Sequence, residues 1–232
     1  LKNLNTTTIA SISLGKSNNE NFENSLNNYA KVVHYQFNTF SSKRMISAMA
    51  EELSEYNLVV VNIDEINPKT DQMISLLSKK NKVIVHYFGL KKELKLVSSI
   101  DKMEALIVAQ NNSKEIKTKA GQLTFGGISC DGKLTEEINE DFGIGAGIST
   151  EKIRLSFGDT QSTDINGEKL LKIDTLIQEA IAAKAFPGCQ IIAAKDGHVF
   201  LNKSYGNHTY DSTANKVTNT DIYDLASITK IA

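Results

Sequence analysis

The chain lacks an excess of charge of either sign. Its 26 lysines and arginines face 27 aspartates and glutamates, for a net charge of −1. That leaves no electrostatic ground for a nucleic-acid or anionic-membrane partner. Long hydrophobic runs are missing too: none reaches the ~18 residues that a membrane-spanning helix needs. Only two cysteines occur, Cys130 and Cys189, in different segments, and they fix no compartment. None of the four histidines has a second His or Cys at ligand spacing, so neither a metal nor a cofactor is called for. The opening Leu1-Lys-Asn-Leu carries no Met and no signal-peptide pattern, and reads as the middle of a longer polypeptide.

What is present is an ordinary globular composition, 41% apolar and 23% charged, which at 232 residues suits one or two domains. Apolar runs at residues 8–14, 32–37, 58–63, 82–88 and 105–109 read as strands. Helical spacing separates them. Phe22, Leu26 and Tyr29 form one stripe, and Met45, Ile46, Met49, Ala50 and Leu53 another. Asn67-Pro68 starts a third helix, residues 91–99 a short one, and 113–123 a last one with Ile116, Ala120 and Leu123 inward. Strands alternating with helices predict an α/β fold: an αβα sandwich with a mostly parallel sheet and helices on both faces. Residues 154–157 form one more short strand, so the first domain is set at 1–157.

A polar, Gly-containing linker follows at 158–167, and a second segment at 168–232. It opens with an amphipathic helix (Leu170, Ile173, Ile177, Ala180, Ile181) ended by Pro187-Gly188. Two strands then turn at Asp196-Gly197, a strong hairpin signal. A helix and one hairpin cannot enclose a core, so residues 186–232 are expected to rest on other structure or to be weakly ordered. Near the end, Ser227 and Lys230 stand three apart, on one face of a helix. Ser-x-x-Lys offers a nucleophile and a base, provided that something lowers the lysine's pKa.

The run from Phe186-Pro-Gly-Cys-Gln through Asp196-Gly197 and Tyr205-Gly206 to Tyr223-Asp-Leu-Ala-Ser227-Ile-Thr-Lys230 resembles the opening of the serine β-lactamase and penicillin-binding-protein family, in its class C, esterase-like branch. The resemblance implies that Ser227 is acylated and that Lys230 is its base partner. It also implies a truncated site. The family's Tyr-x-Asn and Lys-Thr-Gly motifs belong further downstream, no Lys-Thr-Gly occurs here, and Tyr205-Gly-Asn207 lies upstream.

Ala120-Gly-Gln-Leu-Thr-Phe-Gly-Gly-Ile-Ser, with Asp131-Gly-Lys-Leu134 and Phe142 to Gly147, resembles the end of the C-terminal αβα sandwich of glycoside hydrolase family 3, β-N-acetylhexosaminidase branch. Thr135 and Phe88-Gly-Leu depart from that family's pattern. Together the two resemblances imply a junction piece of a bifunctional bacterial cell-wall hydrolase, a glycosidase joined to a serine hydrolase. The implied partners are an upstream (β/α)₈ barrel, the downstream remainder of the second domain, and a carbohydrate or muropeptide substrate. The implied location is the periplasm or cell envelope.

The other candidates weigh less. Asp64 and Glu65 follow the third strand, where α/β ligands bind, but adjacent acidic residues more often make a solvated turn or a cap. Gly143-x-Gly145-x-Gly147 neither follows a strand nor opens a helix, so it is no dinucleotide fingerprint. His34 and His86 fall within strands as packed side chains, His198 at the hairpin turn and His208 in a loop. The competing function is a non-catalytic scaffold, or an α/β module that binds sugar or protein. A flavodoxin-like small-ligand domain stands behind both, because Gly15-Lys-Ser17 lacks the rest of a phosphate loop.

Overall fold

The computed structural model describes residues 1, 3–38, 41–160, 163–224 and 226–231, with the backbone alone for 228, 229 and 231. The chain divides into two compact units, Leu1–Arg154 and Leu155–Ala232.

The first unit holds five parallel strands: β1 (Ile9–Leu14), β2 (Val32–Phe37), β3 (Leu58–Ile63), β4 (Lys82–Phe88) and β5 (Ala105–Ala109). Their order is β2-β1-β3-β4-β5, so the chain reverses its winding between β1 and β3. Helices α1 (Glu20–Asn27), α2 (Lys43–Glu52), α3 (Pro68–Leu77) and α4 (Lys114–Phe125) connect most of them. The expected α/β class with a mostly parallel sheet is what the chain adopts. β1 and β3 are buried at every position, as strands covered on both faces must be.

Period-two alternation sorts the side chains. Ala10, Ile12, Leu14, Val59, Val61 and Ile63 join one apolar cluster with Ile46 of α2 and Met73, Ile74 and Leu77 of α3. Ile9, Val32, Leu58, Val60 and Ile84 join another with Phe22 and Leu26 of α1 and Ala120 and Phe125 of α4. Helix starts follow cap chemistry. Asn67 Oδ1 accepts from the amides of Lys69 and Thr70, with Pro68 in the first turn. Residues 91–96 form a 3₁₀ helix where a short helix over 91–99 was expected.

The second unit is thinner. A short strand β6 (Ser156–Phe157), helix α5 (Gly167–Ala182) and strands β7 (Gly188–Lys195) and β8 (His198–Gly206) make a sheet of order β6-β8-β7. β7 and β8 pair antiparallel, with a bulge at Ala193/Ala194. Asp196 (φ 52°) and Gly197 (φ 76°) both take the positive φ that a two-residue hairpin turn demands. Its buried apolar side chains are Val199, Leu201, Tyr205 and Val217 among the described residues, and α5 buries none. Asp174 ties α5 to β8. It accepts from Tyr205 Oη at 2.5 Å and from Lys203 Nζ at 2.9 Å.

Backbone amides should report this difference in depth. Those of β1 and β3 are expected to exchange with solvent near the global unfolding limit, and those of β7 and β8 at least about a hundredfold faster. Hydrogen exchange read by mass spectrometry measures both. Equal protection would mean that the second unit is held as firmly as the first.

Candidate functional site

Open parallel sheets bind ligands at the carboxyl ends of the strands where the winding reverses. Here that place lies beyond β1 and β3, at Gly15–Asn19 and Asp64–Asn67. A side chain that sequence patterning did not single out fills it. Lys117 of α4 is 3% exposed. Its ammonium donates to Asn19 Oδ1 at 2.6 Å and lies 3.2 Å from Asp64 Oδ1, with the Asn18 carbonyl at 3.4 Å. It also sits 5.5 Å from the centroid of the Phe88 ring. Asn19 precedes α1 but makes no side-chain cap bond, because its oxygen serves Lys117. The expected inward stripe of α4 was Ile116, Ala120 and Leu123. Ala120 is buried as expected and Ile116 packs partly buried against the core, but the buried set also takes in Lys117, Gly121, Gln122, Thr124 and Phe125, so the inward face is centred about one position round the helix. Gly121 explains the rotation. A Cβ there would lie 2.7 Å from Ser25 of α1, so the bare backbone lets the two helices close up.

Asp64 is therefore the counter-ion of a buried lysine, and Glu65 is exposed. The two carboxyls form no acid/base pair. His86, buried beneath α1 and α4, shares a 2.8 Å hydrogen bond with Thr124 Oγ1 and packs edge-on against Phe22. Burial pushes its pKa down to about 3. His34, partly buried, contacts Ser11 Oγ at 2.6 Å, and burial lowers its pKa as well. His198 bonds Ser156 at the start of the hairpin, and His208 pairs with Asp221. Among the described residues no group of three or more His, Cys, Asp or Glu could hold a metal. No described helix is long and apolar enough to cross a membrane.

Ser227 and Lys230 lie in a 3₁₀ helix, Ala226–Ile231. At three residues per turn, positions i and i+3 eclipse, and Lys230 Nζ stands 3.4 Å from Ser227 Oγ. Ala226, just before the serine, has φ 44°, a conformation strained for a residue with a Cβ. Its amide is held by Asp224 Oδ1 at 2.9 Å. Both side chains of the pair are exposed.

Comparison with known proteins gives short reach. No protein-family model matches the chain. Curated relatives called Protein flp, from Staphylococcus aureus strains NCTC 8325 and COL among others, are 41% identical over 59 residues. That stretch is 25% of this chain and 12% of theirs. A crystal structure described as a pilus assembly protein (cpaE) from Burkholderia thailandensis superposes with TM-score 0.35 and 8% identity. It covers 51% of this chain and 98% of its own, a likeness too slight to bear on fold or function.

These findings correct the family expectations. With no family model matching, the assignment of residues 1–150 to glycoside hydrolase family 3 does not stand, and neither does that of 168–232 to the β-lactamase and penicillin-binding-protein family. The bifunctional cell-wall hydrolase falls with them, as do its β-N-acetylhexosaminidase, its serine hydrolase and its peptidoglycan setting. The motifs have local causes. In Phe125-Gly-Gly, Gly126 (φ 74°) ends α4 in a Schellman motif, its amide bonded to the Leu123 carbonyl and that of Gly127 to the Gln122 carbonyl. Gly-Lys-Leu134 and the glycines at 143–147 fold on each other through Leu134, Gly145 and Ala146. Gly188 is required where the hairpin starts, because a Cβ there would lie 2.6 Å from the carbonyls of Tyr205 and Asn207.

The buried histidine sets a pH dependence. Folded His86 stays neutral down to about pH 3, whereas an unfolded histidine titrates near 6.5. The unfolded chain therefore binds the extra proton between those values. The stabilisation is complete above pH 6.5 and declines as pH falls, by about 1.4 kcal/mol per unit. Denaturant unfolding at pH 7 and pH 5 should show a loss of roughly 2 kcal/mol from this residue. His86→Gln should remove that part of the loss, and an unchanged pH dependence would show that His86 is not held neutral.

Proposed function

We propose that the first unit is a non-catalytic α/β scaffold. One observation carries the reading: the chain's own Lys117, Asn19 and Asp64 occupy the crevice where a doubly wound sheet would take a ligand. A lysine that is buried and paired in this way holds the α1 loop, the end of β3 and α4 together. Removing it strands the Asp64 carboxylate, and breaking a buried pair by deleting one partner costs about 3–5 kcal/mol. Lys117→Ala is thus expected to lower stability by that amount. The wild type should show no saturable thermal shift with flavin mononucleotide, nucleotides or N-acetylglucosamine. A saturable shift that disappears in Lys117→Ala would make the crevice a ligand site and overturn the scaffold reading.

A second reading concerns the second unit, and the 3.4 Å approach of Lys230 to Ser227 beside a strained Ala226 favours it. Ser227 is a nucleophile toward an electrophilic carbon or phosphorus, and Lys230 is the group that takes its proton. The reading assigns no family and no substrate. A fluorophosphonate probe should form an adduct on Ser227 detectable by peptide mass, the serine oxygen bonding to phosphorus as fluoride leaves. Lys230→Met should slow the reaction at least about tenfold, the low end of what a positioned base contributes. Labelling that survives in Ser227→Ala, or none between pH 7 and 10, would leave Ser227 an ordinary surface serine.

A further inference from the structure

Ser13, Asn62 and His86 stand in register on β1, β3 and β4. Neighbouring strands lie about 4.8 Å apart, so the three side chains form one transverse row on a single face. The Thr124 hydrogen bond and the Phe22 contact to His86 fix that face as the one beneath α4 and α1. Each of the three residues is 1% exposed. Yet Ser13 Oγ, both side-chain polar atoms of Asn62, and His86 Nδ1 have no hydrogen-bond partner within the protein. A polar atom buried without a partner is costly, and folded interiors leave few of them. Four such atoms on three adjacent positions mark one place.

We propose that this row is an internal hydration site. It holds at least one ordered water that bridges Ser13, Asn62 and His86 beneath the Lys117–Asp64–Asn19 cluster. The donor and acceptor inventory selects this ligand. Asn62 offers two donors and an acceptor, and Ser13 one donor and an acceptor. The free His86 nitrogen accepts when the Thr124-facing one carries the proton, and donates in the other tautomer. A water makes two to four such bonds, matching a small site with both kinds of group. An anion would find Lys117 already neutralised by Asp64. A metal ion would find no carboxylate among the three. The proposal does not depend on the scaffold reading, since a hydrated interior serves a binding module equally well.

Oxygen-17 magnetic relaxation dispersion on the whole chain counts long-lived internal waters. The wild type is expected to hold at least one that Asn62→Leu loses. Asn62→Leu should also lower Tm by several degrees, because the leucine displaces the water and leaves Ser13 and His86 unpaired. Ser13→Ala, a smaller change that keeps the fold if Asn62→Leu does not, should likewise reduce the dispersion. Relaxation unchanged by both substitutions would overturn the proposal. A rise in Tm for Asn62→Leu would do so as well, because it would mean that the leucine had only removed an unpaired amide.

Discussion

A sheet whose central strands are covered on both faces must provide for every polar side chain those faces carry, because water cannot reach them from outside. The two faces of the first unit meet this constraint differently. Under α2 and α3 the strands supply Ala10, Ile12, Leu14, Val59, Val61, Ile63, Val83, Val85 and the fully buried Tyr87, whose hydroxyl donates to Glu93 at 2.5 Å. Under α1 and α4 the same strands supply Ser11, Ser13, Asn62 and His86 toward their carboxyl ends. The covering helices answer with Thr124 for His86 and Lys117 for Asp64. The polar half of this face lies at the end of the sheet where ligands bind in other doubly wound folds. The chain fills that end with its own groups.

This pairing also explains how α1 and α4 are placed. The Asn19 side chain receives the lysine instead of capping α1, so α4 helps to fix the entry to α1 alongside the Asn18 bond to the Glu20 amide. Gly121 lets the helices approach, and Ser25 bonds the Thr118 carbonyl across the seam at 2.7 Å. Replacing Lys117 therefore disturbs more than one ion pair. It frees a loop, a strand end and a helix together, as expected of groups that share one network.

The fold class and the strands were legible because double burial writes continuous apolar runs such as Leu58-Val-Val-Val, and helical stripes separate them. The hairpin turn at Asp196-Gly197 was legible because its positive φ values demand those residues. The buried cluster was not. An apolar-periodicity reading passes over lysine and threonine, so it rotated α4 toward Ile116 and Leu123. The polar parity of Ser11 with Ser13 and of Asn62 with Asp64 was the available signal, since polar residues two apart on buried strands need partners on the covering helix. The glycine motifs misled for a related reason. Phe-Gly-Gly at 125–127 and Pro-Gly at 187–188 satisfy a helix cap and a hairpin entry. Unrelated chains need the same letters for the same local geometry.

Ser227 and Lys230 show where spacing stops being informative. Three residues apart, the pair eclipses in a 3₁₀ turn, which puts both side chains on one side and leaves the lysine's own torsions to set the 3.4 Å approach. Chemistry asks for more. The amine must be relieved of its proton, and that requires desolvation or a neighbouring cation. The second unit buries four apolar side chains among its described residues and leaves Leu171, Leu176 and Ile192 each more than half exposed. Cover over this unit, rather than any change within the Ser-x-x-Lys turn, is therefore the quantity on which the reactivity proposed for Ser227 would depend. A substitution that only altered the turn would change the distance without changing the environment that sets the lysine's proton affinity.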